Sequence, residues 1–165
     1  METKITGRVW KYGDDVNTDV IFPGKYTYSI FDRKEMAEHA LEDLDPGFVG
    51  SVQPGDIIVA GKNWGCGSSR EQAVIALKEA GVGAIVARSF ARIYFRNCIN
   101  EGLPIVTCDA VDSVETGDEI TIDFESGRVI TPGGEYSFPP LPPSVMEILD
   151  AGGLVAHVQQ KLGVA

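Results

Sequence analysis

Three short apolar runs stand out along the chain: "GDIIVAG" at 55–61, "GAIVARS" at 83–89 and "LPIVTC" at 103–108. Each is a continuous stretch of branched and small apolar residues, the pattern of a strand buried on both faces. Between them lie "SREQAVIALKEAG" and "FARIYFRNCINEG". Their apolar positions recur at helical spacing, and each closes on a glycine suited to end a helix. Strand, helix, strand, helix, strand predicts parallel strands joined by right-handed crossovers.

From Val111 the pattern changes. "DEITIDFESGRVITPGGEYSF" alternates apolar and polar residues, with "ESGR" and "PGGE" as turns, and predicts an antiparallel meander. "PPLPP" is a stiff spacer, and "SVMEILDAGGLVAHVQQKLG" predicts two short helices split at Gly152-Gly153. At the other end, residues 1–30 read as extended and turn-rich, with "GDDVNTD" and "FPGK" as turns. Asp32 to Asp45 reads as a helix with Asp32 as N-cap and Glu35 three residues on. Its apolar face is Met36, Ala40, Leu41 and Leu44, and Pro46-Gly47 ends it. The expected fold is one α/β domain over 1–165, in three layers: a β-ribbon, a mixed sheet and its helices.

Composition narrows the function. The 165 residues are 44% apolar, enough for a substantial core. No run approaches the ~20 apolar residues that span a bilayer. "METKITGRVWKYGDD" carries no secretory-type apolar segment, so a cytoplasmic protein is expected. A net charge of −10 argues against a nucleic-acid partner, since phosphate backbones are held by clustered positive charge. A small anion needs only a local Arg or Lys. The three cysteines, Cys66, Cys98 and Cys108, form no zinc or iron–sulfur pattern. Cys98 and Cys108 read as small buried apolar side chains. Metal chemistry, if any, is expected from another chain.

The chemistry concentrates in "GKNWGCGSSRE", 61–71. Ser68 and Glu71 have capping-box spacing, and a cap alone is worth about 1 kcal/mol. The preceding loop asks for more. Gly61, Gly65 and Gly67 permit positive φ and close approach of a ligand. The following helix start offers free N–H groups and a partial positive charge. This combination suits a carboxylate or phosphate, and it stabilises a serine alkoxide. Arg70 is placed to clamp a carboxylate. The P-loop, GxGxxG and GxSxG signatures are all incomplete here. His39 and His157 are expected on helix surfaces, so a Ser-His-Asp triad has little support.

"GKNWGCGSSRE", with "DDVNTDVI" before it and "ARSFARIYFRN" and "EILDAGGL" after it, closely resembles the small subunits of the two-chain aconitase-like hydro-lyases. The nearest group is that of the 3-isopropylmalate dehydratases, and the likeness runs over nearly all the chain. The resemblance implies the swivelling β/β/α fold and a subunit active only with a larger chain. That chain would carry a [4Fe-4S] cluster, and the reaction would isomerise 2- and 3-isopropylmalate by dehydration and rehydration, in leucine biosynthesis. It implies Ser68 as the base, with Ser69 and Arg70 holding a substrate carboxylate and Asp19 of "NTDVI" near the site. Cys66, where some relatives carry an acidic residue, reads as a packing residue of the loop.

By the same resemblance, the loop Lys25, Tyr26, Thr27, Tyr28 and Ser29 lies over the substrate's variable side chain. Homoaconitase-like subunits carry "YLRT" there, and Tyr28 takes the place of that arginine. An apolar ring favours a branched alkyl group over a third carboxylate. Tyr26 and Tyr28 also have strand spacing, which would serve simply to pack one sheet face. Homoaconitate and 2,3-dimethylmalate stay open as substrates. A stand-alone carboxylate- or phosphate-binding module is the alternative of another class.

Overall fold

In the computed structural model, which describes residues 1–163, strand β1 (Lys4–Lys11) is paired differently along its two halves. Lys4 to Arg8 run antiparallel to β5 (Glu119–Asp123), whereas Val9 to Lys11 run parallel to β2 (Ile57–Ala60). β3 (Ala84–Ala87) and β4 (Ile105–Thr107) extend the parallel side. β6 (Arg128–Thr131) and β7 (Gly134–Ser137) extend the antiparallel side. The strand order is β4-β3-β2-β1-β5-β6-β7. The parallel strands and the meander are those the apolar runs predicted.

Alternation along the parallel strands feeds two cores. Ile58, Ala60, Ile85 and Ala87 pack with Leu77, Tyr94, Cys98 and Leu149, on the helical side. Ile57, Val59, Ala84 and Val86 pack with Ile120, Ile122, Val129 and Phe138. The antiparallel strands therefore lie across the second face of the parallel ones, and one continuous ladder makes two of the three layers. Each fully buried Val, Leu or Ile contributes roughly 1.5–3 kcal/mol, so both faces are needed.

The helical layer consists of α1 (Thr18–Ile21), α2 (Arg33–Ala37), α3 (Phe48–Ser51), α4 (Gln72–Ala80), α5 (Arg92–Glu101), α6 (Pro143–Ala151) and α7 (Leu154–Lys161). The last two meet at Gly152-Gly153, as expected. Three expectations need correction. "NTDVI" is not a plain turn but a capped helical turn, in which the Asn17 side chain accepts from the Val20 amide at 3.0 Å. The helix expected over Asp32–Asp45 stops at Ala37, and the Asp32 side chain makes no cap hydrogen bond. Leu41 adopts φ 56°, its side chain fully buried and its amide bonded to the Ile21 carbonyl at 2.8 Å. Burying that side chain overrides helical continuity, and Leu44 is left partly exposed. Finally, α4 begins at Gln72, so Ser68 precedes the helix and does not cap it.

Candidate active site

Three loops leave the C-terminal ends of the adjacent parallel strands β1, β2 and β3 and converge. This is the edge where open α/β sheets bind ligands. Isolated parallel bridges tie the loops together, Asn17 to Cys66 and Trp64 to Phe90. Between them opens a cleft of about 260 Å³, lined by Thr18, Ser68, Ser69, Arg70, Arg92 and Asn97 among others. Drug-sized ligands occupy roughly 300–1,000 Å³, so this cleft is sized for a small organic acid.

The glycine loop is shaped by close contacts. Gly65 has φ 83°, and a β-carbon there would lie 2.2 Å from Cγ of Tyr94. Tyr94 is buried and donates its hydroxyl to the Ala73 carbonyl at 3.0 Å; burial pushes its pKa well up, so it stays a neutral phenol. Gly61, by contrast, is not at positive φ. A β-carbon there would meet the Asp14 carboxylate at 1.8 Å and displace that exposed side chain from its bond to the Lys62 amide.

Ser68 and Ser69 are exposed at the mouth of this loop. The buried hydroxyl of Thr18 donates to the Ser68 carbonyl at 2.7 Å and fixes the backbone there. Among the described residues, the amides of Ser68, Ser69 and Arg70 and both serine hydroxyls have no partner within the chain. Donors are thus available around Ser68, although it is the loop and not a helix cap that presents them.

Arg70 is largely buried, its side chain 10% exposed. Its Nη2 donates to the carbonyls of Thr18 at 2.7 Å and Phe22 at 2.5 Å, and lies 3.1 Å from Asp19 Oδ1. Its Nη1 donates to Thr27 Oγ1 at 2.8 Å. Its Nε is buried and without a partner. Asp19 and Thr27 thus reach the site through Arg70.

The rest of the Lys25–Ser29 loop lies apart from the cleft lining. Lys25 belongs to a 3-10 turn, Gly24–Tyr26, so the strand-spacing reading of Tyr26 and Tyr28 does not hold. Tyr26 donates its hydroxyl to Glu42 Oε2 at 3.0 Å, and its ring lies 4.2 Å from that of His39. His39 bonds Glu42 as well, at 2.9 Å, and sits in a turn beyond α2 rather than on a helix surface. That bond, with the one from Tyr26, holds the Glu42 carboxyl below its usual range even against partial burial. Lys25 Nζ stands 5.1 Å over the Tyr26 ring, while Tyr28 is 90% exposed and Ser29 is exposed.

Sequence reasoning missed Thr18, Arg92, Ile93 and Asn97, all on the cleft lining. The available signal was topological: "FARIYFRN" follows the strand next to the one that precedes the serines. Among the described residues, no group of three or more His, Cys, Asp or Glu side chains is placed to hold a metal ion. Cys98 and Cys108 are buried, as expected, and burial pushes the Cys108 thiol up to about 11.

Residues 27–110 match the model of the aconitase C-terminal domain. A 3-isopropylmalate dehydratase small subunit of Thermodesulfovibrio yellowstonii is 48% identical over 98% of this chain and 97% of its own length. The chain belongs to the aconitase-like hydro-lyase small subunits. Within that family, small subunit 2 of the Archaeoglobus fulgidus 3-isopropylmalate dehydratase is 50% identical over 95% of this chain and 96% of its own. A methanogen homoaconitase small subunit of Methanothermobacter thermautotrophicus is 52% identical over 95% and 92%. The crystal structure of 3-isopropylmalate dehydratase from Methanocaldococcus jannaschii superposes with a TM-score of 0.91 at 42% identity, covering 96% of this chain and 95% of that one. The swivelling three-layer fold of the family is the fold described above. No described helix is long and apolar enough to cross a membrane.

Proposed function

We propose that this chain is the small subunit of a 3-isopropylmalate dehydratase, supplying the base and part of the substrate cleft to a complex with a large subunit. The observation that carries the proposal is Ser68. Its hydroxyl is exposed at a cleft of small-acid size, and its backbone is held by Thr18.

A serine hydroxyl is a weak base, and its ionised form needs stabilisation. The unbonded amides of Ser68, Ser69 and Arg70, and the buried guanidinium beside them, supply it without reorganisation. In this reading Ser68 removes the proton from the carbon next to a carboxylate. Ser69 and the Arg70 guanidinium orient that carboxylate, and the departing hydroxyl leaves from the neighbouring carbon. Rehydration with the opposite regiochemistry completes the isomerisation. Asp19 holds the charge and direction of Arg70. The described residues offer no cluster ligands, so a [4Fe-4S] cluster acting as Lewis acid on the hydroxyl belongs, in this proposal, to the large subunit.

Ile93, half exposed on the cleft lining, favours a branched alkyl substituent; by the family resemblance, Tyr28 also stands where an arginine would pair with a third carboxylate. The homoaconitase relative supports a second reading, in which the substrate carries that third carboxylate. Turnover of a panel of malate analogues by the reconstituted complex separates the two. Ser68→Ala should keep folding and subunit association while abolishing turnover of 2-isopropylmalate; wild-type activity in that variant removes Ser68 from the mechanism.

A further inference from the structure

The turn that holds Arg70 is itself held from outside the cleft. The Thr27 hydroxyl accepts from Arg70 Nη1 at 2.8 Å, and the Thr27 carbonyl accepts from Gln72 Nε2 at 3.0 Å. Tyr26, the residue before it, faces the other way. Its hydroxyl donates to Glu42 Oε2 at 3.0 Å, and His39 Nδ1 lies 2.9 Å from Oε1 of the same carboxylate. The Tyr26 ring packs against those of Phe22 and His39, with centroids 5.9 Å and 4.2 Å away. Tyr26, His39 and Glu42 all stand outside the cleft lining. The backbone of the preceding residue brings Glu42 over the turn. Leu41 sits at φ 56°, a region that side chains of its kind rarely adopt. Its amide is bonded to the Ile21 carbonyl at 2.8 Å and its side chain is fully buried, so this conformation is fixed at both ends.

We infer that Glu42 is a positioning residue of the cleft: it locks the Gly24–Tyr26 turn through the Tyr26 hydroxyl, and the locked turn aims the Arg70 guanidinium. This rests on the hydro-lyase reading above and deepens it. Two backbone carbonyls, of Thr18 and Phe22, fix Nη2 of Arg70, whereas Nη1 is bonded to Thr27 alone among the described residues. The direction of the guanidinium plane therefore depends on where the turn keeps Thr27. A carboxylate is a stronger acceptor than a neutral group, and Glu42 uses both of its oxygens on this one side of the turn. Without it, Thr27 keeps only the Gln72 bond on its carbonyl, and the plane is free to rotate about the Nη2 bonds. A displacement of about 1 Å in a group that orients substrate costs up to about 100-fold in rate.

The test compares Tyr26→Phe, Glu42→Ala and the double variant with wild type. Kinetics on 2-isopropylmalate use the complete complex with the large subunit, and NMR uses the full chain. Each single variant should lower kcat/KM roughly tenfold. The double variant should be at most about twofold worse than the worse single one, because both substitutions cut the same link. The Nε–H of Arg70, buried and unpartnered, should exchange with water roughly tenfold faster in each variant. A kcat/KM within about twofold of wild type overturns the inference, as do losses that multiply to roughly a hundredfold in the double variant. A lower melting temperature with unchanged Arg70 exchange overturns it too, and leaves Glu42 a structural residue only. Tyr26→Phe keeps the ring and its packing, and decides the question alone if Glu42→Ala does not fold. An inactive wild-type complex refutes the hydro-lyase reading instead. Arg70 exchange then judges Glu42: faster exchange in the variants upholds the lock, and equal exchange overturns it.

Discussion

Thr18 and Ser68, fifty positions apart, are joined by a single hydrogen bond in which the Thr18 hydroxyl donates to the Ser68 carbonyl at 2.7 Å. Thr18 belongs to the capped turn after β1 and Ser68 to the loop after β2, so this bond sets the distance between two walls of the cleft. Thr18→Val keeps the shape and removes the donor. It should cost about 1–2 kcal/mol of stability and lower turnover roughly tenfold, through a loosened Ser68. Thermal unfolding and steady-state kinetics of the complex check both numbers.

Arg70 spans four partners, and a lysine ammonium cannot reproduce a planar fork with donors at both ends. Arg70→Lys should therefore destabilise the chain by about 2–4 kcal/mol, with the Phe22 carbonyl left unpaired while Thr18's keeps the Phe22 amide. Urea unfolding gives the stability loss. Unchanged stability would show that the network contributes nothing to the fold.

Gly65→Ala places a methyl group against the Tyr94 ring at a left-handed backbone position. The expected penalty is about 2–4 kcal/mol, combining the conformational cost with overpacking. Truncating the ring as well, in Gly65→Ala with Tyr94→Leu, should recover the overpacking part only. A double-mutant cycle reads the difference.

Asp56 is buried beneath the β1–β2 pair, where it accepts from the Gln53 amide at 2.9 Å, Trp10 Nε1 at 2.8 Å and Arg8 at 3.0 Å. Burial by itself pushes its carboxyl up, but the three donors outweigh it and hold the group below the usual aspartate range. A lowered folded-state value means that the stabilisation is present above the unfolded aspartate value, about 3.9, and is lost as pH falls through the lower folded one. Asp56→Asn should cost about 1.5–3 kcal/mol at neutral pH, and the gap to wild type should narrow in acid. Urea denaturation across that pH range tests the sign.

The parallel strands and their crossover helices were legible because burial on both faces writes itself as an unbroken apolar run. The meander was legible because one-sided burial alternates. Leu41 was not: its helical spacing is correct, but the side chain is claimed by the core beneath α1 and the backbone turns to deliver it. Ser68 shows the same limit at the site. Its spacing to Glu71 satisfies the capping-box pattern, yet the helix waits until Gln72 because the loop is drawn out by its bridges to Asn17 and Phe90. Arg92 was invisible for a further reason. Nothing local distinguishes it from any exposed arginine, and only the adjacency of β2 and β3 brings it to the serines.

The shared strand β1 has a dynamic corollary. Because the same eight residues close one layer with their first half and the other layer with their second, neither layer can melt and leave its neighbour intact. Amide exchange measured at Ile5 and at Trp10 should report one common opening event, and the molecule should lose both sheets in a single cooperative step.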